Sequence, residues 1–196
     1  MRLRDAVGID AAVGMPVTSS RLAKHVVGAL AIAAAALLAR PAMAQLSLGS
    51  PGGPPRLELG AGAFDITPSN RPYAGTQGDF RAEYHFGDLL WVVSPMVGLD
   101  VTTTGGTYLY GGFGFDVNFG PHWVLTPNGA VGWYQHGSGT VLGSWFEFRT
   151  GAEFDYKFDD QSRLGVAVHH ISNAGLTKVN PGEQSVLLVY QLPLHW

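Results

Sequence analysis

Between Ser144 and Phe158 the chain changes character at every residue. Phe146, Phe148, Ala152, Phe154, Tyr156 and Phe158 share one parity, while Glu147, Arg149, Glu153, Asp155 and Lys157 share the other. Successive side chains of a β-strand point to opposite faces, so the segment reads as a strand with one apolar and one charged face. The same split recurs. Phe80, Ala82, Tyr84 and Phe86 oppose Asp79, Arg81, Glu83 and His85, and Trp91, Val93, Val97 and Leu99 oppose Ser94, Gly98 and Asp100. Arg56 to Ile66 places Leu57, Leu59, Ala61 and Ala63 together, and Gly106 to Phe119 does so with Leu109, Phe113, Phe115, Val117 and Phe119. Segments near Trp123 to Gln135, Arg163 to Ser172 and Gln184 to Leu194 complete about eight strands. No convincing 3.6-residue apolar stripe competes with this pattern.

Alternation alone fits two architectures. A soluble sandwich or lipocalin-like barrel would bury the apolar face inside, whereas a membrane barrel turns it outward. Charges of both signs on neighbouring strands suit a small filled lumen, and Phe, Tyr and Trp near strand ends suit interfacial girdles. The ending Tyr190-x-Leu192-x-Leu194-x-Trp196 resembles the assembly signal of outer-membrane barrels. We therefore expect an all-β fold, an eight-stranded antiparallel transmembrane β-barrel. Its connections alternate between tight turns (Phe86-Gly87-Asp88, Phe119-Gly120-Pro121, Asp159-Asp160-Gln161) and mostly longer loops (Ser69 to Gln77, Thr103 to Thr107, Gln135 to Gly143, Asn173 to Gly182). Periplasmic turns and external loops alternate in that way.

Three parts are expected along the chain: a signal peptide at 1–44, a flexible Gly/Pro/Ser-rich lead at 45–55, and the barrel at 56–196. The first rests on Arg21 and Lys24 ahead of the apolar run Val26 to Ala39, with a small-x-small site at Ala42-Met43-Ala44. A chain with such a leader leaves the cytoplasm. It has no cysteine, so disulfides contribute nothing, and its net charge of -3 gives no field that would attract nucleic acid.

One stretch falls outside the general pattern. In His169-His170-Ile171-Ser172 the parity of His170 and Ser172 is that of Leu164, Val166 and Val168, opposite to Arg163 and His169. With Arg163 in the lumen, His170 and Ser172 face lipid, about 7 Å apart along the backbone. His169 joins the polar lumen. A base beside a hydroxyl is the minimum kit of a serine hydrolase, and a histidine facing lipid is costly unless it has partners. The competing reading is an interfacial pair that snorkels to water. Counting connections from a periplasmic N-terminus puts the pair at the outer end of the seventh strand. His85, His122, His136 and His195 are dispersed, so no metal site or other cofactor is expected.

The segment His170-x-Ser172-Asn173-Ala174-Gly175-Leu176, with Asn180-Pro181-Gly182 after it, resembles the lipid A 3-O-deacylase family, the PagL-type outer-membrane enzymes. Weaker likeness covers Ala63 to Thr67, Gly78 to Tyr84 and Phe146 to Tyr156. The resemblance implies an outer-membrane esterase that removes the 3-O-linked acyl chain of lipid A in lipopolysaccharide. It implies Ser172 as nucleophile, His170 as general base, Asn173 and the Gly175 amide as oxyanion donors, and it is compatible with a homodimer. The third catalytic position departs from the family pattern. Ungapped spacing from Ser172 lands on Gln184, and the carboxylate is its neighbour Glu183. Parity favours Gln184, while Glu183 requires a shift or bulge of the Pro181-Gly182 turn. A phospholipase A-like outer-membrane esterase and a non-enzymatic structural or adhesive barrel are the alternatives.

Overall fold

The alternating segments form antiparallel strands that close on one another. The computed structural model describes residues 46–68, 75–89 and 91–194. Among these lie β1 (Leu46–Leu48), β2 (Arg56–Phe64), β3 (Gln77–His85), β4 (Val93–Thr102), β5 (Thr107–Phe115), β6 (Val117–Phe119), β7 (Trp123–Gln135), β8 (Phe146–Lys157), β9 (Arg163–Ser172) and β10 (Glu183–Pro193). The expected signal peptide at 1–44 lies outside the described residues, as do His195 and Trp196.

Strands β5 and β6 are one ribbon interrupted at Asp116. Gly114 faces Asn128 and Val117 faces Leu125 of β7, so the register carries straight across the break. From β2 onward, with β5 and β6 taken as one strand, each strand pairs with its sequence neighbour, and β10 pairs with β2 from Val186–Ala63 to Pro193–Arg56. The eight-stranded antiparallel barrel is therefore closed, which leaves every main barrel strand paired on both sides.

The two faces settle which kind of barrel this is. Leu59, Phe80, Leu99, Leu109, Phe113, Val131, Val166 and Leu188 are exposed on the outside, while Glu58, Arg81, Glu83, Asp100, Glu153 and Arg163 are buried inside. This is the inverse of a soluble barrel. Its interior is held by charge-assisted bonds. Arg81 grips Asp100 through two bonds of 2.8 and 2.9 Å, Arg163 grips Asp116 at 3.1 and 2.6 Å, and Arg149 reaches Glu83 at 2.9 Å while lying 4.0 Å over the Tyr110 ring. His85 Nε2 lies between Glu83 and Glu58, 3.0 and 3.3 Å away. His169 occupies the lumen as its parity requires, accepting from Arg81 at 3.2 Å.

Aromatic rings gather at both ends of the outer surface. Trp123 stacks on Phe154 and meets Tyr156 edge-on at one end; Trp133 packs on Trp145, with Phe146 and Phe148 beside them, at the other. These are the two girdles the sequence led us to expect.

Two local expectations require correction. Trp91 was read as part of a strand, but β4 begins at Val93, and Trp91 is a left-handed turn residue (φ 67°) exposed in the connection. The lead at 45–55 was read as flexible, yet β1 pairs with β6, Leu46 opposite Phe119 and Leu48 opposite Val117. The physical cause is an open edge. Strand β4 pairs β5 only as far as Phe115, so the β6 extension offers unpaired backbone groups that the lead takes up. Bonds from Ser50 Oγ to Asp116 (2.7 Å), from Ser50 N–H to Asp88 (2.6 Å) and from Asn118 Nδ2 to the Gly49 carbonyl (2.8 Å) fasten it there.

Candidate active site

Strand β9 alternates strictly between buried and exposed residues from Arg163 to Ile171, and this rhythm delivers His170 to the outer surface. Ser172, half-buried, ends the strand on the same side. On one flank β10 sets Gln184 directly opposite His170; on the other β8 sets Thr150 opposite His170 and Phe148 opposite Ser172. The pair sits at the end of the barrel that carries the longer connections, beside the Trp133, Trp145, Phe146 and Phe148 cluster.

The register puts the two candidates for the third position on opposite faces of β10. Gln184 Nε2 lies 3.1 Å from His170 Nδ1. Glu183 is on the other face: it pairs with Ile171, is 1% exposed, and its Oε2 accepts the Asp65 N–H at 3.1 Å. No bulge re-aims it. Its carboxylate instead pins the start of the β2–β3 connection from the lumen side. Gln184 pins the same segment from outside, since its carbonyl accepts the Ile66 N–H at 2.9 Å and its Oε1 accepts from the Thr67 hydroxyl.

Both expected oxyanion donors are engaged elsewhere. Asn173 is fully buried; its Nδ2 donates to the carbonyls of Leu142 (3.1 Å) and Val179 (2.9 Å) and to Thr177 Oγ1 (3.0 Å). Its backbone N–H donates to Asn180 Oδ1, and its Oδ1 accepts the Gly175 N–H, each at 3.0 Å. Asn173 and Gly175 thus knit the β9–β10 loop together, and hold it against the β7–β8 loop. A short polar side chain beside a turn competes for backbone partners in this way.

Two further residues flank the site, Gly182 beside His170 and Thr67 beside Gln184. Gly182, in the left-handed region (φ 63°), lies under the imidazole: a Cβ there would stand 2.7 Å from Cε1 and 3.3 Å from Nε2. Thr67 is 117 positions from Gln184 and meets it only because β2 and β10 close the barrel. Only an Asn-Pro-Gly turn signal hinted at the first; nothing local could hint at the second. The site so assembled offers a hydroxyl, an imidazole and an amide on a lipid-facing surface, which is the equipment for nucleophilic attack on an ester.

The chain matches the family model described as lipid A 3-O-deacylase (PagL) over residues 73–193. Its fold is similar to that in the crystal structure of the outer membrane enzyme PagL, with 20% identity and a TM-score of 0.59, over 71% of this chain and 99% of that one. It is also similar to a barrel from the de novo design of transmembrane β-barrels, with 13% identity and a TM-score of 0.52, over 76% of this chain and 100% of that one. No curated protein matches the chain.

Proposed function

The chain belongs to the lipid A 3-O-deacylase family, and from that premise we propose that it is an outer-membrane serine esterase that removes the 3-O-linked acyl chain of lipid A. The observation that supports this reading is the outward face of β9 and β10, where Gln184 contacts His170 and Ser172 follows two residues along on the same side, at the end bearing the longer loops. A bilayer-embedded substrate can reach such a face sideways. With the longer loops external, the site stands at outer-leaflet depth.

Ser172 Oγ attacks the ester carbonyl carbon as His170 Nε2 takes the hydroxyl proton. The tetrahedral intermediate collapses by breaking the bond to the sugar oxygen, which receives that proton from His170. The acyl chain is left on Ser172. Water, losing a proton to the same imidazole, then attacks the acyl-enzyme; the proton returns to Ser172 Oγ and a free hydroxy fatty acid departs. One ester and one water give one acid and one sugar hydroxyl. Gln184 holds the imidazole ring from Nδ1, and the apolar surface of Phe148, Phe146 and Trp145 receives the acyl chain beside Ser172.

Mass spectrometry of lipid A from membranes that carry the protein is the test. Lipid A should become lighter by one hydroxyacyl chain, and Ser172→Ala or His170→Ala should abolish the shift. An unchanged spectrum with well-folded protein would refute the proposal, and fatty acid released from glycerophospholipid instead would redirect it to a phospholipase.

A further inference from the structure

Among the described residues four arginines are buried, and three of them hold a carboxylate. Arg81 grips Asp100, Arg149 reaches Glu83 and Arg163 grips Asp116. Arg56 is the exception. Its Nε donates to Gln191 Oε1 at 2.8 Å, and the guanidinium makes no other bond among the described residues, although Arg56 is only 4% exposed. Gln191 in turn donates from Nε2 to Glu58 (3.2 Å) and Glu153 (3.0 Å), so a neutral amide stands between the arginine and those acids. A cation taken out of water without a charge against it is costly, and its place in the fold asks for a partner.

The free side of Arg56 borders a cavity of about 350 Å³ at the end of the barrel that carries the tight turns. Arg56 opens β2, Lys157 closes β8 and Arg163 opens β9, and all three line this cavity. Among the described residues no carboxylate does. Lys157 has no ion pair among them either. Asp155, the next residue inward on the Lys157 face, is buried with both carboxylate oxygens unbonded. Even with Asp116 and Asp155 both ionised, the three cations are in excess, and a cleft walled by one sign of charge concentrates ions of the other.

The opposite wall is the lead. Ser50-Pro51-Gly52-Gly53 is a type II turn, with proline second, Gly52 third at φ 74°, and the Gly53 N–H on the Ser50 carbonyl at 2.8 Å. The cavity therefore lies between two stretches of chain, cations of the barrel on one side and a glycine-proline turn on the other.

We propose that this cavity binds a phosphate group: Arg56 presents paired guanidinium donors, Lys157 adds a second charge, and the turn of the lead closes over the anion. With the longer loops external, as in the reading above, this mouth opens at the inner leaflet and the periplasm. The phosphate then comes from a phospholipid headgroup or from the free anion. That choice of source rests on the orientation; the site itself does not.

Hydrogen exchange of 46–53 tests it, on protein refolded in a phosphate-free non-ionic detergent and titrated with inorganic phosphate or with short-chain phosphatidylglycerol. At ten times the dissociation constant, exchange of the lead should slow about tenfold. Arg56→Gln should weaken binding at least about tenfold, the size of a hydrogen bond to a charged group, and Lys157→Gln about threefold, as an exposed ion pair would. Arg56 also holds Gln191, so its variant risks misfolding. Lys157→Glu avoids that risk, because the Lys157 side chain bonds nothing among the described residues, and the reversed charge should abolish the protection. Protection by phosphatidylglycerol but not by inorganic phosphate identifies the headgroup as the source; protection by inorganic phosphate identifies the free anion. No protection by either would overturn the proposal, as would protection that persists unchanged in Lys157→Glu.

Discussion

At the scale of single residues, the site depends on a side chain that is missing. Gly182 adopts a left-handed backbone, and a Cβ at that position would press on His170 Cε1 at 2.7 Å. The imidazole cannot yield without shifting against Gln184. A misplacement of about 1 Å at a reacting group can cost about 100-fold. Gly182→Ala is thus expected to lower kcat by at least tenfold, on the order of that effect, while the barrel strands, which do not include Gly182, keep their stability. Deacylation rate and thermal unfolding measured on one preparation check both halves. A variant that keeps full activity would show that the ring is not confined there.

Between strands, the β9–β10 loop is organised by Asn173, whose side chain and backbone make five hydrogen bonds that span from Leu142 to Asn180. Asn173→Ala leaves the buried Leu142 carbonyl without that donor, while Val179 keeps its bond from Thr177, a loss of about 1–3 kcal/mol that falls on the loop rather than the strands. Hydrogen exchange should therefore accelerate in 174–182 and not in β9 or β10, and acyl release should fall with it. Uniform acceleration across the barrel would contradict a local role. This is also where sequence reading ran out. Parity placed His170, Ser172 and Gln184 outward and His169 inward, because period two is a property of the strand itself. Spacing and parity pointed to Gln184 and charge to Glu183, which left both open; the register sets Gln184 opposite His170 and Glu183 opposite Ile171. The oxyanion role expected for Asn173 and Gly175 came from likeness alone, and the structure has their donors inside the loop. Thr67 was invisible, since its contact exists only through the β2–β10 closure, and so was the β1 strand, which forms because β6 outruns β4.

For the molecule as a whole, stability is set by which solvent each face meets. The interior is a network of buried ion pairs and polar side chains, and the exterior is hydrocarbon-facing Val, Leu and Phe. Opposite substitutions should therefore fail for different reasons. On the outside, Val166→Lys at the middle of β9 places an ammonium against acyl chains, at a cost of about 2–4 kcal/mol near the midplane. Inside, Arg149→Leu removes the guanidinium bonded to Glu83 and leaves that buried carboxylate with only His85 and the Tyr110 hydroxyl against it, with an expected loss of up to about 3–5 kcal/mol. Replacing both members, Arg149→Leu with Glu83→Gln, removes the under-compensated charge and should recover a large part of that loss. A soluble barrel would give the reverse order, with Val166→Lys harmless. Reversible urea unfolding in phospholipid vesicles measures all three on one scale. Recovery in the double variant, with none for Val166→Lys in thicker or thinner bilayers, would establish that the lumen network acts as paired charges and the outer face as a lipid contact.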